Sequence, residues 1–384
     1  MTSPGNCAGS SLTWVRRVLF LVVVALALVT AAPASASTSR LQRQMNELVS
    51  SEGGPPGVIV TIRRGRRTRW LTSGPGHVPS RRPIGINDHM RIASVAKAFS
   101  AAVALRLVGD RKLGLDDTIG ELRPDLPAAW HGVTVRRMLN HTSGLPDYTK
   151  SEGFSDQVRA DPGGFVSTGK IIGWVANDPL VFRPGARYEY SNTDNIVIGL
   201  IAEKVSGRPY GRLLRNFVFR PLGLGRTSFP TGVKLPGPYI HGYQPEGAGY
   251  EDISELISPS GAWASGAIVS TPRELNTFVR GYLGRRLFPR RLRRAQLRFV
   301  RGNSDPPGPG TNFAGLGVFR YRTKCGSMYG HTGSFPGYGQ FAASSRFGSR
   351  SVTSSINIAP PPPGSEVLDK LRAMQRTLVC EALK

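Results

Sequence analysis

Cysteine is nearly missing from this chain, with three in 384 residues. That excludes a disulfide-dense miniature scaffold and a zinc module built on repeated cysteine pairs. Acidic residues are also short, 25 against 50 basic ones, for a formal charge of +25. A balance so one-sided favours contact with polyanions. Yet no zinc-ligand spacing and no basic stretch interleaved with aromatics accompanies it, so nucleic acid is not an expected partner. Long apolar runs are confined to the first 30 or so residues. Several catalytic signatures are absent too: there is no G-x-S-x-G elbow, no H-E-x-x-H among the six histidines, no P-loop and no glycine fingerprint for a dinucleotide. These absences remove the α/β-hydrolase, zinc-peptidase, nucleotide-hydrolase and dinucleotide-binding classes. No metal and no cofactor is expected.

What is present begins with a leader. Arg16-Arg17 precede an apolar run from Val18 to about Thr30, and Ala34-Ser35-Ala36 closes it with small residues. This reads as a signal peptide over residues 1–36, cleaved near Ala36, and too short for a membrane span. The remaining 37–384 carry about +23 once Arg16 and Arg17 are removed. They are expected to be soluble, monomeric and extracellular, with no stable membrane anchor. The densest basic patch, Arg285-Arg286, Arg290-Arg291, Arg293-Arg294, Arg298 and Arg301, reads as a solvated helix face. Anionic cell-wall polymers are its candidate partner.

The most informative stretch is Ser94-Val95-Ala96-Lys97, which heads a strongly apolar run from Ala98 to Leu105. A serine hydroxyl holds its proton too tightly to attack unaided and needs a base beside it. On a helix, residues three apart share a face, so Lys97 would stand one turn from Ser94. Burial would depress its pKa and make the amine that base. The chain carries its own control: Ser167-Thr168-Gly169-Lys170 has the same spacing after a polar, glycine-rich stretch, and reads as a surface turn. Two further pieces follow in order, Tyr190-Ser191-Asn192 and His331-Thr332-Gly333. The ordered set S-x-x-K, Y-x-N, H-T-G is far more specific than any of its parts.

With those motifs, together with Asn140-His141-Thr142-Ser143-Gly144-Leu145, Ala262 to Ser270, and Gly315-Leu316-Gly317, the chain resembles the serine β-lactamase/penicillin-binding superfamily. The likeness is to the branch holding class C β-lactamases, DD-peptidases and related esterases, and covers about residues 40 to 383. It implies an α/β (α+β) fold: an antiparallel sheet flanked by helices, built from about 37–100 and 265–384, with an all-helical insertion at about 101–264. It implies Ser94 as the acylated nucleophile, with Lys97 and Tyr190 sharing the base work and the tyrosine acting partly as phenolate. By the same likeness Asn192 orients the substrate amide and Lys97, Trp263 walls the pocket, and His331 stands where K-T-G relatives have lysine. Thr332 and Ser334 then offer hydroxyls to a substrate carboxylate. The oxyanion hole is expected from the amides of Ser94 and of a strand residue near Ser334. Cys325 and Cys380 are an even pair once Cys7 leaves with the leader, and the resemblance implies that they form a disulfide.

The implied activity is that of a D-alanyl-D-alanine carboxypeptidase acting on peptidoglycan stem peptides and acylated by β-lactams. An esterase, D-amino-acid amidase or weak β-lactamase of the same fold is the alternative, and an inactive wall-peptide-binding module a further one. One position departs from the pattern. Phe319 stands where the likeness implies an arginine for the terminal carboxylate. Arg320 and Arg322 flank it, but strand alternation sends them to the opposite face unless a bulge intervenes.

Overall fold

The structure is a computed structural model and describes Met1 and residues 39–384, apart from 248 and 285. The expected signal peptide lies outside the described residues. Five helices and one large sheet carry the architecture. The helices are α1 (Arg40–Val49), α2 (Ala96–Gly109), α3 (Thr193–Ser206), α4 (Pro272–Leu283) and α5 (Glu366–Leu383). The strands are β1 (Val58–Arg64), β2 (Arg67–Ser73), β3 (Val300–Arg301), β4 (Thr311–Gly315), β5 (Val318–Thr323), β6 (Gly326–Phe335), β7 (Tyr338–Ser344) and β8 (Arg350–Ile356). They form one antiparallel sheet in the order β2-β1-β8-β7-β6-β5-β4-β3. The two ends of the chain thus share a sheet, as the sequence implied.

Alternation along β1 sorts the two faces of that sheet. Val58, Val60 and Ile62 join a core with Leu41, Met45 and Leu48 of α1 and with Leu368, Leu371, Met374 and Leu378 of α5. Thr61 points the other way, toward α4, where Asn276 Nδ2 donates to its hydroxyl at 2.7 Å and Ser351 donates to Asn276 Oδ1 at 2.7 Å. This pairs the polar groups that α4 would otherwise bury unsatisfied. The Cys325–Cys380 disulfide, with 5.2 Å between Cα atoms, ties the β5–β6 turn to α5.

Between β2 and β3 the chain builds the helical part. α2 is apolar nearly all round and buried from Ala96 to Leu105, which suits a central helix and no other position. It packs against α3, buried from Thr193 to Ala202. The middle of the chain also holds a hairpin, Tyr243–Glu246 with Gly249–Asp252, which an all-helical insertion did not foresee. Ser39–Lys384 form one compact unit. Among the described residues no helix is long and apolar enough to cross a membrane.

One irregularity of the sheet positions everything that follows. β5 pairs with β6 only as far as Phe319↔Gly330. β6 runs on to Phe335 with β7 as its partner. The other edge of residues 331–335 is left open toward the turn that begins α2.

Candidate active site

Ser94 lies in a single 3₁₀ turn, Ala93–Val95, that runs directly into α2. Ala93 makes the bend, with φ at +52°. That left-handed conformation costs alanine on the order of 1 kcal/mol or more and persists only where the surroundings impose it. Here β6 is part of the imposition. A Cβ on Gly333 would fall 2.8 Å from Ile92 O, 2.9 Å from Ala93 Cβ and 3.0 Å from Ser94 N. Only glycine lets the strand main chain come so close to the Ser94 amide, which is where the two-amide oxyanion hole is expected.

Lys97 is 1% exposed, and its Nζ lies 2.9 Å from Ser94 Oγ, 2.7 Å from Asn192 Oδ1 and 2.9 Å from Ser265 O. Burial lowers its pKa to about 7, against the opposing pull of Asp147, Asp305 and Asp194. The hydrogen-bond geometry then assigns the lone pair. Two of the three neighbours, the Asn192 and Ser265 carbonyls, can only accept. A neutral amine gives them its two N–H groups and turns its lone pair to the Ser94 hydroxyl. Asn192 cannot rotate out of this role. Its Nδ2 donates to both Asp147 oxygens, at 3.2 and 3.0 Å, and to Thr149 Oγ1 at 3.2 Å.

Tyr190 completes the centre but not as expected. Its ring lies 5.1 Å from Lys97 Nζ. Burial holds its pKa well above 10; Ser94 works against that rise, while Asp305, Tyr188 and Asp147 reinforce it. Burial thus favours the neutral phenol over the phenolate that the resemblance implied. Its buried hydroxyl has no partner in full hydrogen-bond geometry, and the polar group it faces is the Ser94 hydroxyl. The ring is braced from behind by His141, 4.4 Å away between centroids. His141 comes from the N-H-T-S-G-L motif and bonds Asp194 at 2.8 Å in full burial.

Three other expected site residues sit elsewhere. Trp263 does not wall the cavity: its ring packs on Tyr210, 5.0 Å between centroids, and fills the space above Gly199 of α3. The Thr332 hydroxyl donates to Pro306 O at 2.6 Å and does not reach the cavity. His331 lies beneath the floor, 1% exposed, with Nδ1 bonded to Thr332 O at 2.6 Å. Burial, helped by Lys97, lowers its pKa to about 3. It is neutral and does not reproduce the positive charge of the lysine it replaces. Ser334 is the member of the set that is exposed and lines the cavity. The control pair is also placed: Ser167 caps the surface helix Thr168–Gly173, and Lys170 donates to Gln157.

Ser94, Tyr190, Asn192, Ser265 and Ser334 open on a cavity of about 370 Å³, walled by Tyr148, Phe154, Val166 and Phe335. Its charged lining is acidic: Asp161 and Asp305. Among the described residues no lysine or arginine side chain lines it. Phe319 is 2% exposed and packs on His331 at 5.0 Å. The β5–β6 register has no bulge, so Arg320 and Arg322 stay on the far face, where both sit over Phe313, Arg320 at 4.2 Å. Asp147 and Asp305 are the functional neighbours that no motif announced, and Ser265 lies in the Ala262–Ser270 stretch without having been given a role.

The family described as Beta-lactamase matches residues 38–372. A solved D-stereospecific amidohydrolase from a Streptomyces species is 30% identical, with a TM-score of 0.74 over 83% of this chain and 93% of that one. The D-amino acid amidase of Ochrobactrum anthropi SV3, solved with L-phenylalanine, is 26% identical, with a TM-score of 0.78 over 89% of this chain and 98% of that one. Penicillin-binding protein 4* of Bacillus subtilis is 26% identical over 300 residues, 73% of this chain, and the chain spans 63% of that relative's length.

Proposed function

Because the chain belongs to the beta-lactamase family, we propose that its chemistry is acyl transfer to a serine and that it hydrolyses amides or esters of D-amino acids that carry a free ammonium group. The observation that carries this reading is the charge of the cavity: two carboxylates line it, and no basic side chain does among the described residues. Burial raises the pKa of Asp305; Lys97 and Lys150 work against that rise and Asp147 adds to it. A substrate ammonium in the cavity would favour its charged form. The likeness to a D-stereospecific amidohydrolase and a D-amino acid amidase supports both the amide chemistry and the D-configuration.

The proposed reaction uses the groups already described. Neutral Lys97 takes the Ser94 proton as Oγ attacks the acyl carbon. The carbonyl oxygen gathers charge beside the Ser94 amide and the open edge of β6. The ammonium formed at Lys97 is the proton source for the leaving amine, with the Tyr190 hydroxyl as the bridge. Water then attacks the acyl-enzyme by the same route in reverse, releasing the D-amino acid and restoring Ser94.

D-alanyl-D-alanine carboxypeptidase activity on peptidoglycan stems is the second reading, favoured by the exposed Ser334 hydroxyl on the open edge of β6. An extended peptide could align there. We place the enzyme in the extracellular wall space, on the strength of residues 1–36 and of a disulfide suited to an oxidising compartment. One comparison separates the substrate readings. D-alanine amide, its N-acetyl derivative and a diacylated peptide ending in D-Ala-D-Ala are offered in turn. The free-amine amide should be preferred over its acetyl form. Asp305→Asn should weaken that preference by about 10- to 100-fold, the usual worth of a hydrogen bond to a charged group. Rapid release of D-alanine from the acylated peptide, with the free-amine amide untouched, would refute the first reading in favour of the second.

A further inference from the structure

Three polar side chains from three separate segments meet away from the catalytic cavity. His77 ends the short strand Pro75–His77, His241 lies just before the strand Tyr243–Glu246, and Asp252 ends the strand Gly249–Asp252. Their ligand-type atoms all fall within 4.8 Å of one another. Main-chain bonds hold the segments together. His241 N donates to Gly76 O at 2.8 Å, Tyr243 pairs with Asp252, and Ile253 N donates to Gly242 O at 2.9 Å. The two imidazole rings lie 4.2 Å apart between centroids.

Two of the three groups, Asp252 and His77, are also oriented from behind. Asp252 Oδ1 accepts from the Ser254 amide at 3.0 Å and hydroxyl at 2.5 Å, which turns Oδ2 to His241 Nδ1 at 2.5 Å. His77 Nδ1 is bonded to Ser80 Oγ at 2.7 Å. A proton donated there leaves the Nε2 lone pair for another partner. Fixed outer hydrogen bonds of this kind are what orient imidazole and carboxylate ligands. Arg82, the cation beside Gly76, is paired with Asp88 at 2.6 Å, so its charge is compensated.

We propose that His77, His241 and Asp252 form a surface site for a divalent transition cation of the zinc class, with water completing the coordination. Two imidazoles and one carboxylate suit zinc; magnesium and calcium demand oxygen ligands. The ion would staple three segments that are otherwise held by main-chain bonds. Its grip extends toward the cavity. The Tyr338 hydroxyl donates to Ile240 O at 2.9 Å, and a Cβ at Gly242 would fall 2.5 Å from the Tyr338 ring. Tyr338 pairs across the β6–β7 turn with Phe335, a cavity wall.

The test uses the untagged protein stripped with a chelator and titrated with zinc chloride alone in a calorimeter. One zinc per chain should bind, and the melting temperature should rise with zinc. His77→Ala and Asp252→Asn should each weaken binding by at least about 10-fold. Their melting temperatures in chelator should match the stripped wild type, which shows the fold intact. Cobalt(II) in the same site should give a visible absorption band that His241→Ala abolishes. Failure of the wild type to bind zinc in a one-to-one ratio, or equal binding by wild type and Asp252→Asn, overturns the proposal.

Discussion

Replacing Lys97 with methionine tests the catalytic assignment through stability, without any substrate. An unfolded lysine keeps its proton to about pH 10.4, whereas in the fold Lys97 loses it at about pH 7. Between those values the unfolded chain binds one proton more. The fold therefore gains stability as pH rises through that window, by about 1.4 kcal/mol per pH unit. Below about pH 7 both states hold the proton, and burial of the ammonium costs a constant amount, on the order of 5 kcal/mol for the full shift. Lys97→Met removes this dependence. It also orphans Asn192 Oδ1 and Ser265 O, at about 1–3 kcal/mol each. That second effect does not change with pH, so the difference between wild type and variant isolates the amine. From pH 7 to 9.5 wild type should gain about 3 kcal/mol relative to Lys97→Met. Urea unfolding followed by tryptophan fluorescence at four or five pH values reads it directly. The same variant should be acylated by a fluorescent penicillin about 10² times more slowly or worse, without the rise through pH 7 that wild type should show. Equal stability slopes in the two proteins would mean that Lys97 stays charged in the fold, and its role as base would fall.

Three further outcomes follow from the site and its frame. Tyr190→Phe should cut acylation by about 10²-fold or more yet leave the urea midpoint nearly unchanged, because the lost hydroxyl has no partner in full hydrogen-bond geometry; a large stability loss would contradict this. Gly333→Ala should push β6 off the Ser94 turn and reduce acylation by about 10²-fold, the worth of one oxyanion donor, measured as the second-order rate with penicillin. Replacing Cys325 and Cys380 together by alanine removes a link across 55 residues. It should cost about 4 kcal/mol in the chain-entropy account while the site still acylates; a change under about 1 kcal/mol in urea would rule that account out here.

The reach of the sequence can be judged residue by residue. Ser94 and Lys97 were legible because their spacing sat on a helix too apolar to lie anywhere but the centre. Tyr190 and Asn192 followed from order along the chain. Alternation correctly sent Arg320 and Arg322 away from the cavity, because that rule needs no knowledge of neighbours. Asp147 and Asp305 were not legible. Both lie outside regular strands and helices, and their contact with the site is made by folding alone. Thr332 and His331 show the other limit. The motif named them, but what they do depends on a loop carbonyl at Pro306 and on burial, and neither is written in a triplet. Trp263 was misplaced because its left-handed φ of +31° carries no sequence signal outside glycine.

The wiring of the sheet has a consequence for how the polypeptide is made. β1 lies between β2 and β8, and Gly57 at its head is bonded to Asn357, 300 positions later. At roughly 5–20 residues per second, a ribosome needs on the order of 15–60 seconds to supply the partner of the first strand. Until then the hairpin of β1 and β2 stands alone, and two strands are marginal in water. The nascent chain must wait, unsealed, until its last strand emerges. Such a delay keeps a polypeptide threadable, and it leaves the apolar strand Val58–Ile62 to be shielded by something other than its own sheet.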